Sequence, residues 1–196
     1  YSCFDLLSLS KQYYKEFYEE RLAMLDKAST SFYSKADIDR KRKSVLHLME
    51  RLQEDMSKNV CEIPFDELGI NTLFVDEAHN YKNVPLDSGI IRVKGFNKAG
   101  SRKCEGMMDK VHCVQRQNNG GRVVLATGTP ITNSITDAFV MQKYLQSGEL
   151  ALLDLQSFDS WIGMFAERVT EFEIDVDTSS YRLATRFAKF HNLPEL

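Results

Sequence analysis

The sequence predicts an α/β layered fold, a parallel sheet flanked by helices, with a helical hairpin ahead of it. Three observations predict it. Two short apolar runs, Ile70–Val75 and Arg122–Ala126, are bounded by turn residues and read as buried strands. Helical periodicity fills the chain before, between and after them. Each run also stops abruptly at a polar cluster, and open parallel sheets carry their ligand crevice at the carboxyl ends of the strands.

The elements follow in order. Residues 1–7 are a short apolar end. Residues 9–30 place Tyr14, Phe17, Tyr18, Leu22 and Leu25 at three- and four-residue spacing, with Lys15, Glu16, Glu19, Glu20 and Arg21 between them, which predicts an amphipathic helix. After a polar break at Ser29–Ser34, a second helix is predicted from about Lys35 to Lys58, with Ile38, Val45, Leu48 or Met49, Leu52 and Met56 on its apolar stripe. Two such helices joined by a short break suggest an antiparallel hairpin. The run Asp39–Lys43 reads as its solvated face, with a DNA or partner contact as the alternative. Pro64–Gly69 reads as a short helix or turn, 84–104 as a long loop, and 105–118 as a helix carrying Met107, Met108, Val111 and Val114. Asn118-Asn119-Gly120-Gly121 is a turn. A helix is predicted from after Asn133 to about Gln146, and another from Ser157 with Phe165 and Val169 on its inner face. A polar stretch at 171–179 and a last helix at about Ser180–Phe190 complete the chain. This divides it into a hairpin at 1–60, a core at 61–134 and a helical part at 135–196.

Composition narrows the class. With 196 residues, 43% hydrophobic and 27% charged, the chain has the make-up of a soluble globular protein with a sizeable core. It begins at Tyr1 and is expected to be cut from a longer protein. No apolar run approaches the roughly 20 residues of a membrane helix, so no membrane partner is expected. The net charge of −3 is unevenly spread. Arg92–Arg122 holds eight Lys/Arg against Glu105 and Asp109, whereas Glu149–Asp177 holds eight acids against Arg168. The basic stretch is either a solvated surface or a contact for phosphate backbones. Cys3, Cys61, Cys104 and Cys113 form no C-x-x-C pair, and His112 beside Cys113 makes a poor pair of ligands. These thiols are expected to be structural, in a reducing cytoplasm.

The chemistry sits in the two clusters after the strands. Asp76-Glu77-Ala78-His79 puts two adjacent carboxylates at a strand end, where a hard cation such as the Mg²⁺ that accompanies nucleotide phosphates suits them. In that reading Asp76 holds Mg²⁺ through water, Glu77 orients and deprotonates the attacking water, and His79 links the site to neighbouring elements. The plain alternative is an acidic turn without chemistry. In Thr127-Gly128-Thr129-Pro130, Gly128 and Pro130 are expected to fix an unusual backbone path that presents two hydroxyls to the acids and to a phosphate backbone, the plain alternative being a turn with a structural role only. The two clusters are expected to face each other across one cleft.

Val75-Asp76-Glu77-Ala78-His79-Asn80-Tyr81-Lys82-Asn83 resembles the second motif of superfamily-two motors, in the D-E-A-H-x-x-K-N form of the Swi/Snf-related branch. Ala126-Thr127-Gly128-Thr129-Pro130-Ile131-Thr132-Asn133-Ser134 resembles the third motif of the same branch. From Phe65 to Leu196 the text also resembles the helicase region of large proteins of conjugative elements and phages, which often carry an adenine-specific DNA methyltransferase domain. The matching stretches include G-G-R-V-V-L-A-T-G-T-P, K-Y-L-Q at Lys143–Gln146, F-D-S-W at 158–161 and the terminal R-F-A-K-F-H-N-L-P-E-L.

The resemblance implies a partial RecA-like lobe of a DNA-dependent ATPase, a helicase or translocase, using ATP and Mg²⁺. It implies catalytic roles for Asp76, Glu77 and His79, and coupling of hydrolysis to DNA by Thr127, Gly128, Thr129 and Asn133. Lys82, Asn83, Lys98, Arg102 and Lys103 suit DNA-backbone contacts without sequence preference. A second motor lobe is implied as partner. The chain departs from the family in having no G-x-G-K-[ST] loop upstream of the D-E-A-H strand. Hydrolysis is therefore expected of the parent protein and not of these 196 residues alone. Two other readings remain: an accessory module that binds DNA or a protein without hydrolysing ATP, and a metal-dependent nuclease built on Asp76, Glu77 and His79. The nuclease lacks a further acid cluster for a second metal.

Overall fold

A computed structural model describes residues 2–27, 35–54, 63–86, 88, 100–132, 134–174 and 181–192. The chain forms two compact units, Tyr1–Ile70 and Asn71–Leu196.

The first unit is helical. Helices α1 (Ser2–Leu6), α2 (Lys11–Lys27) and α3 (Lys35–Glu54) precede a 3-10 turn at Phe65–Glu67. The sequence placed α2 and α3 correctly, and the two pack together. The end of the second helix beyond Glu54 lies outside the described residues. Ser10 starts α2: its hydroxyl accepts from the Tyr13 N–H at 3.1 Å. Its own N–H and hydroxyl both donate to the Asp66 carboxylate, at 2.7 and 2.5 Å, which fixes the 3-10 turn against the start of α2. Phe4 adds an edge-on contact with Phe65 at 5.7 Å. Four of the five residues of the Asp39–Lys43 run are exposed, as a solvated face requires. Arg42 pairs with Asp26 of α2 at 3.0 Å, a surface bridge that adds little to stability.

The second unit mixes strands and helices. Strand β1 (Leu73–Val75) pairs in parallel with β2 (Val123–Leu125), with Leu73 opposite Val123 and Val75 opposite Leu125. Helix α4 (Arg102–Gln117) lies between them in sequence; α5 (Ile135–Leu145), α6 (Ser147–Leu152) and α7 (Phe158–Phe165) follow. Serine hydroxyls start three of these helices: Ser101, Ser134 and Ser157 accept from the N–H groups of Cys104, Thr136 and Ser160. Among the described residues, no helix is long and apolar enough to cross a membrane.

The core is aromatic. Trp161 is fully buried between Phe139, Phe158 and Phe165, with ring centroids 5.0–6.2 Å from its own. Its indole N–H donates to Gln142 Oε1 at 2.6 Å. Val111 and Val114 of α4 are buried as the periodicity predicts, and Cys104 and Cys113 are buried thiols.

The structure corrects the sequence reading in several places. Residues 181–190 are not a helix but β4 (Tyr181–Phe190), antiparallel to β3 (Ala166–Ile174). Val169 and the first part of the polar stretch at 171–179 therefore belong to a hairpin strand. Pairing with a second strand outweighs weak local periodicity, and the exposed Glu167 and Lys189 sit opposite each other in the register. The first core strand covers only Leu73–Val75, and it is buried on one face alone: Phe74 is 74% exposed. The expected loop at 84–104 ends earlier, because α4 begins at Arg102.

Candidate functional site

The two polar clusters meet because β1 and β2 are parallel neighbours that end together. The ladder continues past the strands: Ala126 N–H donates to Val75 O at 2.8 Å, and Ala78 N–H donates to Ala126 O at 2.9 Å. The acid pair and the threonine-rich turn thus leave the sheet side by side.

The acid turn is sharp. Glu77 takes the left-handed conformation (φ 51°, ψ 45°) between β1 and a 3-10 turn at Ala78–Tyr81. A non-glycine residue there costs on the order of 1 kcal/mol. Asp76 holds the turn by accepting the Glu77 N–H at Oδ1, 2.9 Å away. Ala78 is buried against the sheet end, so the turn tolerates only a small side chain there. Both carboxyl-bearing residues, Asp76 and Glu77, are exposed.

His79 joins the clusters. Its Nδ1 lies 3.2 Å from Glu77 Oε2 and 3.3 Å from Thr127 Oγ1. Thr127 Oγ1 also accepts the Thr129 N–H at 3.1 Å, which shapes the T-G-T-P turn from within. Gly128 sits between these two threonines. It takes no positive φ, and a Cβ added to it would meet nothing within 4 Å. Neither a left-handed backbone nor a side-chain clash therefore demands glycine there, and the Thr127 hydroxyl bonds across the turn.

The basic candidates separate into groups. Gly100 packs so tightly on Pro85 that a Cβ would fall 2.2 Å from Pro85 N, and Ser101 N–H donates to Asn83 O at 2.8 Å. This close approach brings the start of α4 beside the segment after D-E-A-H. Exposed Asn83, Arg102 and Lys103 share this edge, and the Lys103 ammonium lies 4.6 Å from the Tyr81 ring centre. Lys98 and Asn133 lie outside the described residues.

Lys82 is engaged elsewhere. Its ammonium is 3.1 Å from Asp137 Oδ2 and donates to Thr132 Oγ1 at 3.3 Å. The side chains are only 10% and 15% exposed. Burial pushes the Asp137 carboxyl up, but the Thr132 N–H, the Thr132 hydroxyl and Lys82 outweigh it and hold it below the ordinary carboxylate range. Sequence reasoning missed Asp137 and Thr132. The available signal was an acid three residues into a helix whose cap, Ser134, follows the T-G-T-P motif.

Among the described residues, no group of three or more His, Cys, Asp and Glu gathers to hold a metal. Two exposed carboxylates at a strand end suit a magnesium ion that keeps its waters and brings phosphate oxygens with it. They do not suit an ion caged by protein alone.

The model of a family described as a probable helicase domain matches residues 11–196. No curated protein and no solved structure matches the chain. The matched span takes in both strand-end clusters and the helices that support them, and the chain belongs to the probable helicase domain family.

Proposed function

We propose that this chain is part of the first, RecA-like motor lobe of a Swi/Snf-related superfamily-two ATPase that couples ATP hydrolysis to movement on DNA. The single observation that supports it most is the contact of His79 with both Glu77 and Thr127, which ties the D-E-A-H turn to the T-G-T-P turn at one end of a parallel sheet. Asp76 is the residue to hold a hydrated magnesium ion accompanying ATP. That ion supplies charge neutralisation on the phosphates. Glu77 orients the attacking water and takes its proton. Thr127, Thr129 and Asn133 report on the DNA strand. Asn83, Lys98, Arg102 and Lys103 contact its phosphates without reading bases. The second lobe and the phosphate-gripping loop belong to the parent protein in this reading. So does the kinship with conjugative-element and phage proteins that carry adenine-specific DNA methyltransferase domains.

The test is nucleotide turnover by the purified full-length protein with and without DNA. Hydrolysis that rises when DNA is added is the expected result. A full-length protein with an upstream phosphate loop that neither hydrolyses ATP nor responds to DNA sinks the proposal and leaves the non-hydrolysing accessory module.

A further inference from the structure

Helix α5, which follows the T-G-T-P turn, is fastened at both ends to two adjacent residues beyond the acid pair. In its first turn, Asp137 binds the Lys82 ammonium at 3.1 Å. In its last turn, the Tyr144 hydroxyl donates to the Tyr81 carbonyl at 3.1 Å. Asp137 and Tyr144 are seven residues apart, two helical turns, and so lie on one face. Thr132 closes the first fastening: its N–H and hydroxyl both donate to Asp137 Oδ2, at 3.0 and 2.9 Å, and its hydroxyl accepts from Lys82.

A cavity of about 200 Å³ opens beside this ion pair, lined by Lys82, Asp137, Asn83, Ser134 and Thr136 among others. The buried Val84, Leu86 and Val140 complete the lining, so the two segments meet here through polar bonds beside an open space that apolar side chains wall in part. An ion pair this little exposed contributes geometry more than net stability, because desolvation offsets much of its attraction.

We propose that Lys82 is a positioning residue which, with Asp137 and Thr132, locks the segment after T-G-T-P to the segment after the acid pair, so that displacement of either turn moves the other. This rests on the motor-lobe reading above and deepens it. It removes Lys82 from the DNA-contacting set and makes it the part that carries a DNA-dependent shift of one turn to the carboxylates.

The experiment is DNA-stimulated ATP turnover by the full-length protein with Lys82→Met, Lys82→Arg, Asp137→Asn and Thr132→Val, together with DNA titrations at several salt concentrations and a thermal melt of each variant. Lys82→Met and Asp137→Asn are each expected to lower turnover at saturating DNA by about 10-fold, the scale at which residues that carry coupling act. The half-saturating DNA concentration and its salt dependence stay within about twofold of wild type, since a residue that contacts no phosphate releases no counterion. Lys82→Arg keeps the charge and restores most of the turnover. If the buried-charge variants fail to fold, exposed Thr132→Val carries the test, with the same loss of turnover at unchanged DNA affinity. A phosphate contact gives the opposite pattern and overturns the inference. Lys82→Met then raises the half-saturating DNA concentration and flattens its salt dependence, while Asp137→Asn leaves turnover intact. A wild-type protein without DNA-stimulated turnover removes the motor-lobe reading, and this inference with it. An active wild type whose variants keep full turnover removes the inference alone.

Discussion

His79 Nδ1 stands 3.3 Å from Thr127 Oγ1, a contact spanning 48 residues of sequence that exists only because β1 and β2 run in parallel and end together. If this contact transmits between the two turns, His79→Ala and Thr127→Val act on one pathway. Each is expected to lower DNA-stimulated turnover of the full-length protein, and the double variant falls little further than the worse single one. Losses that multiply in the double variant show that the two residues act independently.

In the motor-lobe reading proposed above, Glu77 is the general base. It is exposed at the strand end, in a left-handed turn, with its Oε2 beside His79, whereas Asp76 spends one oxygen on the Glu77 N–H. Glu77→Gln keeps the shape and removes the base. Turnover is expected to fall by about 10²–10⁴-fold, the usual contribution of a positioned general base, with nucleotide binding retained. Steady-state hydrolysis and equilibrium binding of a fluorescent ATP analogue separate the two effects. Near wild-type turnover takes the catalytic role away from Glu77.

The parts of this fold that were legible in the sequence are those set by local chemistry. Ile70–Val75 and Arg122–Ala126 announce strands by short apolar runs and bounding turns, and their shared ending follows from the logic of parallel sheets. Helices α2, α3, α4, α5 and α7 follow from apolar spacing, with Ser157 marking the start of α7. What stayed hidden depends on partners far away in sequence. Tyr181–Phe190 becomes a strand because Ala166–Ile174 lies opposite it, with a register shift between Glu167 and Arg168 that blurs the alternation. Lys82 looked like a surface cation because its partner, Asp137, lies 55 residues on. Phe74 looked buried because an apolar run does not reveal that only one face of its strand is covered.

The core of the second unit makes a direct claim on stability. Trp161 is fully buried, touches three aromatic rings and donates to Gln142. Trp161→Ala is expected to cost about 3–5 kcal/mol through lost contacts and the cavity left behind, read by urea unfolding with far-ultraviolet circular dichroism. Tyr144→Phe is milder. It removes one hydroxyl aimed at the carbonyls of Tyr81 and Cys104, both 3.1 Å away, at a cost of about 0.5–1.5 kcal/mol for the lost hydrogen bonding. A Trp161→Ala variant as stable as wild type contradicts this packing.

Acid is expected to destabilise the fold in a defined window through His112. Its Nε2 is buried with no hydrogen-bond partner. Burial first, and then the nearby Lys143 charge, lower its pKa from 6.5 to about 4, against an opposing bond to the Lys143 backbone. The unfolded chain takes up a proton near pH 6.5, while the folded chain resists until about pH 4. The stability from keeping this ring neutral is therefore complete above pH 6.5 and is lost as the pH falls towards 4, where the folded ring also protonates. A shift of this size corresponds to about 3 kcal/mol. Asp137 overlaps only the lower end of this window: its carboxyl is held below its ordinary 3.8, so its contribution begins to fade as the unfolded chain protonates near that value and is lost in stronger acid. The chain has one tryptophan, Trp161, so fluorescence-monitored urea unfolding between pH 7 and pH 4 follows the second unit directly. His112→Leu should flatten the slope across that range, and an unchanged slope places the acid sensitivity elsewhere.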